Sequence, residues 1–261
     1  MSPALPLLDP QTTPVATAPA GPPPVPAQHR PDIDGLRALA IVPVVLFHAH
    51  VAGFGGGFVG VDVFFVISGF LITGILAREL EQGRFSLLRF YERRARRILP
   101  ALLAMLAVVL GLASWIYLPG DFAAVPKSAL AVLLFASNLW FFAKTGYFAG
   151  GAETMPLLQC WSLAVEEQFY IVFPLLLRAL ASQGKLARLL LVGLVTAGSF
   201  AWALAKQTST DGFAFYMLPP RAWELMAGAL LALGAVPQVR AGWLREGLAA
   251  LGIALIAGSI A

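Results

Sequence analysis

The stretch GGGFVGVDVFFVISGFLIT, residues 55–73, joins a glycine-rich turn to a long apolar run, and comparable runs recur along the chain. The 261 residues are 59% hydrophobic and only 12% charged, whereas a soluble domain is about half apolar and a quarter charged. About 20 apolar residues cross a hydrocarbon layer of roughly 30 Å as a helix. The sequence therefore predicts an all-α, polytopic transmembrane helix bundle. Small residues in this stretch indicate close helix packing, and they are Gly57, Gly60, Ser68 and Gly69.

About seven to eight hydrophobic segments are predicted, at 36–52, 58–77, 98–118, 126–143, 161–180, 186–205, 221–236 and 243–261. The loop from Arg78 to Arg97 carries seven arginines against three glutamates, and by the positive-inside rule this loop and the N-terminus are cytoplasmic. Segment 126–143 leaves two topologies open. If it spans the membrane, the basic cluster around Arg178 and Lys185 falls outside. If it re-enters or lies at the interface, that cluster falls inside, and we favour this second arrangement.

The two ends of the chain differ in character. Residues 1–29 hold nine of the nineteen prolines and no hydrophobic signal core, which predicts a disordered, Pro/Ala-rich cytoplasmic tail and not a signal peptide. Residues 30–261 form the predicted transmembrane domain. Its last apolar run is still uninterrupted at Ala261, so we expect the domain to be truncated there and to continue in a longer protein.

Charge and cysteine content argue against two classes of function. The net charge is +4 and the pI is about 9.5, but the arginines lie largely between apolar runs, where they set membrane orientation. Nucleic-acid binding is therefore not expected. Cys160 is the only cysteine, so neither an intrachain disulfide nor a cysteine-based metal site can form, and no metal site is predicted.

Two ionisable residues share one face of the first segment. Arg37 and His48 are eleven residues apart, about three helical turns and roughly 16 Å along the axis. Arg37 would lie near the cytoplasmic edge and His48 in the outer half, with Pro43 inviting a kink between them. An ionisable group inside a span is functional by default. The alternatives are structural: Arg37 snorkels to the interface, and His48 bonds a neighbouring backbone group. Asp62 of the next segment needs a partner, and Arg37 or His48 is the candidate.

A third motif, WSLAVEEQFY at residues 161–170, opens another apolar segment. Its acidic residues and tryptophan could be dipole complements and a membrane-belt aromatic. Glu166 and Gln168 also lie about one turn into the segment, at a depth similar to that of His48. A second polar group at that depth could orient or deprotonate the imidazole.

Two more motifs concentrate charge at segment ends. RFYERRARRILP, residues 89–100, is an arginine cluster that could bind lipid phosphates, enforce topology, or dock a phosphate-rich cofactor through guanidinium forks. PPRAWELMAG, residues 219–228, places Arg221 and Glu224 as an i,i+3 pair at an outer helix entrance.

In this order and spacing, DGLRALAIVPVVLFHA, GGGFVGVDVFFVISGFLIT, RFYERRARRILP, WSLAVEEQFY and RAWELMAG resemble the acyltransferase-3 family of bacterial membrane O-acyltransferases. The resemblance covers about residues 30–236. It implies a bundle of about ten helices in the bacterial inner membrane. Such a bundle takes an acyl group, often acetyl, from cytoplasmic acyl-CoA and delivers it to a glycan hydroxyl at the outer face. The chain departs from the family in length, and from the resemblance we expect the last few spans and any fused extracytoplasmic hydrolase-like domain to lie beyond it.

The resemblance also implies roles for individual residues. The family's Arg-x10-His pair falls on Arg37 and His48, and the acidic residue of its WSL motif falls on Glu166. His48 is then the general base for the acceptor hydroxyl and Glu166 orients it, with a covalent acyl-His route left open. The residues expected to hold the CoA phosphates are Arg37, Arg93, Arg94 and Arg97. The residues expected to bind substrate or support the site are Asp34, Asp62, Ser68, Trp161, Gln168, Arg221 and Glu224.

A proton-coupled transporter or flippase of a polar or glycan substrate is the main rival, because intramembrane ionisable residues also mark ion pathways. A dense arginine loop beside a single histidine fits a cofactor user better. A non-catalytic sensor and an acyltransferase centred on Cys160 are weaker alternatives. Expected partners are the lipid bilayer, a sugar-containing acceptor such as lipopolysaccharide, exopolysaccharide or peptidoglycan, and an extracytoplasmic domain or partner acyltransferase.

Overall fold

The computed structural model of the chain describes residues 30–144, 155–209, 212–237 and 239–261, and within these ranges all regular structure is helical, as predicted. The helices are α1 (Pro31–His48), α2 (Val59–Glu81), α3 (Leu87–Ile116), α4 (Pro119–Phe122), α5 (Ala124–Leu133), α6 (Ser137–Lys144), α7 (Cys160–Ala179), α8 (Lys185–Lys206), α9 (Phe213–Tyr216), α10 (Leu218–Ala232) and α11 (Gly242–Ile260). The predicted N-terminal tail and most of the 144–160 loop lie outside the described residues.

Five helices of the described chain are long and apolar enough to cross a membrane, namely α2, α3, α7, α8 and α11. The predicted count of seven to eight segments is therefore not confirmed. The first turn of helix α1 is charged and contains Asp32 and Asp34. Helix α10 has 15 residues, which at 1.5 Å per residue reach about 22 Å and fall short of a hydrocarbon layer of about 30 Å.

The predicted segment 126–143 is a hairpin of two short helices, α5 and α6, and not one span. The chain turns at Phe135, whose φ is +50°, in the left-handed region that ends a helix. The start of α5 and the end of α6 meet at one small cavity of about 170 Å³, which is lined by residues that include Asp121 and Lys144. The segment is therefore not one continuous helix, which agrees with the re-entrant or interfacial arrangement favoured from the charge pattern.

Glycines let two helices approach α2 at backbone distance. A Cβ atom on Gly60, and likewise on Gly57, would overlap a main-chain carbonyl of α1, which for Gly60 is that of Ala40. A Cβ on Gly69 would overlap the main chain of α10 at Leu225. The close packing predicted for these small residues is confirmed, and it places α2 between α1 and α10.

Helix α7 runs antiparallel to α3. The Tyr91 hydroxyl donates to the Ile171 carbonyl at 3.0 Å, and one turn further along α3 the Arg94 guanidinium meets the Glu167 carboxylate at 2.6 Å. Because the two helices run in opposite directions, Arg178 in the last turn of α7 lies at the same end of the bundle as the arginine-rich loop. Both basic clusters thus share one end, as a re-entrant 126–143 requires.

The remaining helices complete the bundle around α2. The Ser199 hydroxyl of α8 donates to the Pro219 carbonyl at 2.5 Å and accepts from the Trp223 amide at 2.9 Å, which fixes α8 against the start of α10. The end of α11 reaches the turn before α2, where the Gly56 amide donates to the Ile260 carbonyl at 2.9 Å.

Candidate active site

A cavity of about 540 Å³ lies between α1, α2, α3 and α7. Its lining is mostly apolar and includes three arginines. The polar lining residues are Arg37, Ser68, Arg94, Arg97, Glu166 and Tyr170. The apolar ones are Phe64, Leu71, Ile72, Ile75, Ile98, Ala101, Leu102, Met105 and Leu163. A concave, mostly apolar site with a few convergent polar groups is the usual form of a small-molecule site.

Glu166 anchors the polar part of this cavity. Its Oε1 accepts a hydrogen bond from the Ser68 hydroxyl at 2.5 Å and another from the Tyr170 hydroxyl at 2.7 Å. The side chain is buried, and a buried carboxylate is tolerated only where donors replace its water. Glu166 therefore ties α7 to α2 and is held rigidly at the cavity wall.

Arg94 is the most constrained arginine of the cavity. Its guanidinium carbon lies 3.6 Å from the centroid of the Tyr170 ring, and its Nη2 lies 2.6 Å from the Glu167 carboxylate. Its Nε is buried and has no hydrogen-bond partner among the described residues. A planar guanidinium can stack on an aromatic ring and still present several N–H donors. Glu167 and Tyr170 were not assigned to the site from the sequence, although Tyr170 lies one helical turn after Glu166.

The other predicted phosphate-binding arginines separate into two groups. Arg37 lies 5.8 Å from the Phe64 ring centroid and 3.9 Å from its i−3 neighbour Asp34. Arg97 lines the cavity without an ion pair to any described residue. Arg93, by contrast, is not among the described lining residues, because it points away and pairs with Glu79 at 2.6 Å on the surface. Three of the four arginines therefore converge.

His48 is the last residue of α1 and is exposed. Its Nδ1 lies 2.8 Å from the Val44 carbonyl oxygen. A carbonyl oxygen only accepts, so Nδ1 carries the proton and the neutral ring keeps its lone pair on Nε2. The predicted orienting partner, Glu166, is instead engaged by Ser68 and Tyr170. The structure thus gives each of these two side chains other partners, with the backbone of α1 holding the ring, and the orienting role of Glu166 stays a prediction.

A second ionic cluster joins α2 to α10. Arg221 donates to Asp62 and, at 3.1 Å, to Glu224, which corrects the expected pairing of Asp62 with α1. The predicted i,i+3 pair of Arg221 and Glu224 forms as expected. The Arg221 guanidinium carbon also lies 5.3 Å from the ring centroid of Trp161 and 5.5 Å from that of Phe65.

Gln168 lies against the turn between α5 and α6 and not beside His48. Its Nε2 donates to the Phe135 carbonyl at 2.9 Å and to Asn138 Oδ1 at 2.8 Å. Phe135 lies in the turn between α5 and α6, and Asn138 lies in the first turn of α6. Gln168 thus seats the re-entrant hairpin on α7. In the described ranges, no three His, Cys, Asp or Glu side chains are grouped as metal ligands.

Comparison with known proteins gives one family. The sequence model of the acyltransferase-3 family, described as an acyltransferase domain, matches residues 30–261. The chain is 38% identical over 208 residues to the peptidoglycan O-acetyltransferase OatA of Listeria monocytogenes, covering 77% of this chain and 33% of that protein. It is 33% identical over 210 residues to the O-acetyltransferase OatA of Staphylococcus aureus, covering 78% and 34%.

A third relative has a different name. The putative membrane-bound transacylase BcsY of Komagataeibacter xylinus is 39% identical over 206 residues, covering 79% of this chain and 52% of that protein. The chain thus spans about a third of the length of the two OatA proteins and about half of BcsY. No solved structure matches the chain.

Proposed function

This chain belongs to the acyltransferase-3 family, and from that premise we propose that it is a membrane-bound O-acyltransferase. It moves an acyl group, in the simplest case acetyl, from cytoplasmic acyl-CoA to a hydroxyl of a cell-surface or exported glycan. The relatives named O-acetyltransferase and transacylase support this activity. The protein lies in the cytoplasmic membrane of a bacterium, with its N-terminus and arginine-rich loop inside and the acceptor outside.

The observation that carries the proposal is the convergence of Arg37, Arg94 and Arg97 on one cavity that is otherwise mostly apolar. Guanidinium groups bind phosphate oxygens in a bidentate manner. The apolar wall suits an uncharged arm and an acyl chain. The volume of about 540 Å³ lies within the roughly 300–1,000 Å³ of sites that enclose small ligands. The residues present therefore fit acyl-CoA as the donor substrate.

His48 acts as the general base in this proposal. With Nδ1–H donated to Val44, the free Nε2 takes the proton of the acceptor hydroxyl as its oxygen attacks the thioester carbonyl. The carbon–sulfur bond then breaks, the acyl group stays on the acceptor oxygen, and the thiolate of CoA leaves and regains a proton from the imidazolium. Such proton transfer contributes roughly 10²–10⁴ in rate. Helix α1 carries both Arg37 and His48, about 16 Å apart along its axis, so it links the cavity to the base.

The test is the release of free CoA from acetyl-CoA by purified full-length protein, with and without a mixed glycan pool. Wild type is compared with His48→Ala and with His50→Asn as the matched control, because asparagine tolerates the positive φ of 55° at position 50. We expect glycan-dependent release that is lost in His48→Ala and retained in His50→Asn. Release that persists in His48→Ala contradicts the base role. No release from folded wild type with any acyl-CoA favours a proton-coupled transporter or flippase instead.

A further inference from the structure

The cavity holds Arg94 from two directions. Its guanidinium carbon lies over the Tyr170 ring, 3.6 Å from the ring centroid, and its Nη2 lies 2.6 Å from the Glu167 carboxylate. An arginine side chain otherwise has several freely rotating bonds, and ordering it costs conformational entropy. Here that entropy has been lost before any ligand arrives, so the guanidinium is preorganised.

The two contacts leave part of the guanidinium unused. Of its five N–H donors, one group faces Glu167, while the Nε–H is buried and has no partner among the described residues. Leaving a buried donor unpaired is unfavourable. The side chain as a whole is 17% exposed and lines the cavity, so its remaining Nη donors are the ones that an anion there can reach. The neighbouring Arg93 provides a contrast: it makes an equally short pair with Glu79 but is half exposed and is not among the described residues that line the cavity.

Tyr170 is itself fixed. Its ring is 3% exposed, and its hydroxyl donates to Glu166 at 2.7 Å. The ring face needed for stacking does not depend on the hydroxyl, so the two functions of Tyr170 can be separated by substitution. A desolvated cation on an aromatic face is held substantially more tightly than an exposed one.

We propose that Tyr170 is a positioning residue that holds Arg94 flat and directs its unused donors at a phosphate group in the cavity. The proposal rests on the proposed function in that this phosphate belongs to acyl-CoA. Tyr170 touches no reacting atom. Its contribution is to donor affinity, through the orientation of Arg94, and not to the proton transfer at His48.

The experiment measures the dissociation constant of inorganic pyrophosphate by calorimetry at low salt, on full-length protein in detergent. Pyrophosphate tests the arginine site whatever the acyl donor is. We expect Tyr170→Leu to weaken binding about tenfold, because the stacked face is lost, and Tyr170→Phe to stay within about twofold, because the face is kept. Arg94→Lys should also weaken binding about tenfold, since an ammonium lacks the planar fork. Glu79→Gln is the matched control and should leave binding unchanged.

Activity gives a second readout. In Tyr170→Leu the KM for acetyl-CoA should rise about tenfold while kcat stays near wild type, whereas a purely structural loss lowers kcat through the active fraction. If Tyr170→Leu is not monodisperse, Tyr170→Met takes its place, because methionine fills irregular gaps in a core. Thermal unfolding of each variant checks the fold.

Three results overturn the inference: no binding of pyrophosphate to wild type, Tyr170→Leu (or its Met replacement) binding as tightly as wild type, or Tyr170→Phe binding as weakly as Tyr170→Leu. If the variants bind pyrophosphate as expected but the protein releases no CoA from any acyl-CoA, the inference is supported and only the proposed function is refuted.

Discussion

Replacing Gly69 with alanine should destabilise the bundle, whereas the same replacement at Gly74 should not. A Cβ on Gly69 would overlap the main chain at Leu225, while a Cβ on Gly74, five residues along the same helix, meets nothing within 4 Å. Alanine is favoured over glycine in a helix by about 1 kcal/mol. Overpacking costs about 1–3 kcal/mol, and at Gly69 the upper end applies because the opposing atoms are backbone and cannot rotate away. The net expectation is a loss of about 2 kcal/mol for Gly69→Ala and a gain of up to about 1 kcal/mol for Gly74→Ala.

The assay is thermal unfolding of the two variants and wild type in the same detergent, followed by intrinsic fluorescence. For a chain of this size a change of 1 kcal/mol shifts the Tm by about 2–4 °C, so Gly69→Ala should unfold about 4–8 °C below wild type. Gly74→Ala should unfold at or slightly above it. If Gly69→Ala unfolds together with Gly74→Ala, the helices α2 and α10 do not meet at backbone distance and the packing described above is wrong.

Gln168→Ala should lower the free energy of unfolding by about 1–3 kcal/mol, measured in the same way, because the part-buried Phe135 carbonyl of the hairpin turn loses its donor; an unchanged Tm would contradict the seating of the hairpin on α7. Arg97→Ala should raise the KM for acetyl-CoA several-fold, because a cavity cation is lost, whereas Arg96→Ala, which removes a surface pair with Glu92, should not; equal effects would place the donor elsewhere. Asp62→Asn should lower the free energy of unfolding by about 1–2 kcal/mol at low salt, because Arg221 then keeps only Glu224 of its two carboxylate partners.

Features that depend on local pattern could be predicted from the sequence. The all-helical bundle follows from composition, and the close approach at Gly60 and Gly69 follows from small residues inside an apolar helix. Charge counting argues against 126–143 as one span, because a span there would separate Arg178 from the arginine-rich loop, and the segment is indeed broken into two short helices. In each case the information lies in the local sequence, either inside one helix or in the charges at the ends of the segments.

Features that depend on which helices meet could not be predicted. Asp62 pairs with Arg221, 159 residues away, and not with the helix beside it in sequence. The orientation of side chains around α3 decides that Arg94 enters the cavity while its neighbour Arg93 faces Glu79. Successive residues of a helix differ by about 100° in direction, so membership of an arginine cluster does not fix which arginines converge.

The same rotation explains why the WSLAVEEQFY motif of α7 is so dense in polar groups. Glu166, Glu167 and Gln168 are consecutive, and they point to three different elements: α2 through Ser68, α3 through Arg94, and the hairpin turn through its backbone. One turn of one helix therefore joins three of its neighbours and supplies the cavity wall at the same time. A loss of activity on substitution in this turn can therefore reflect either a lost contact between helices or a lost site residue. Only binding or kinetic constants measured on variants whose Tm is unchanged can assign a role here.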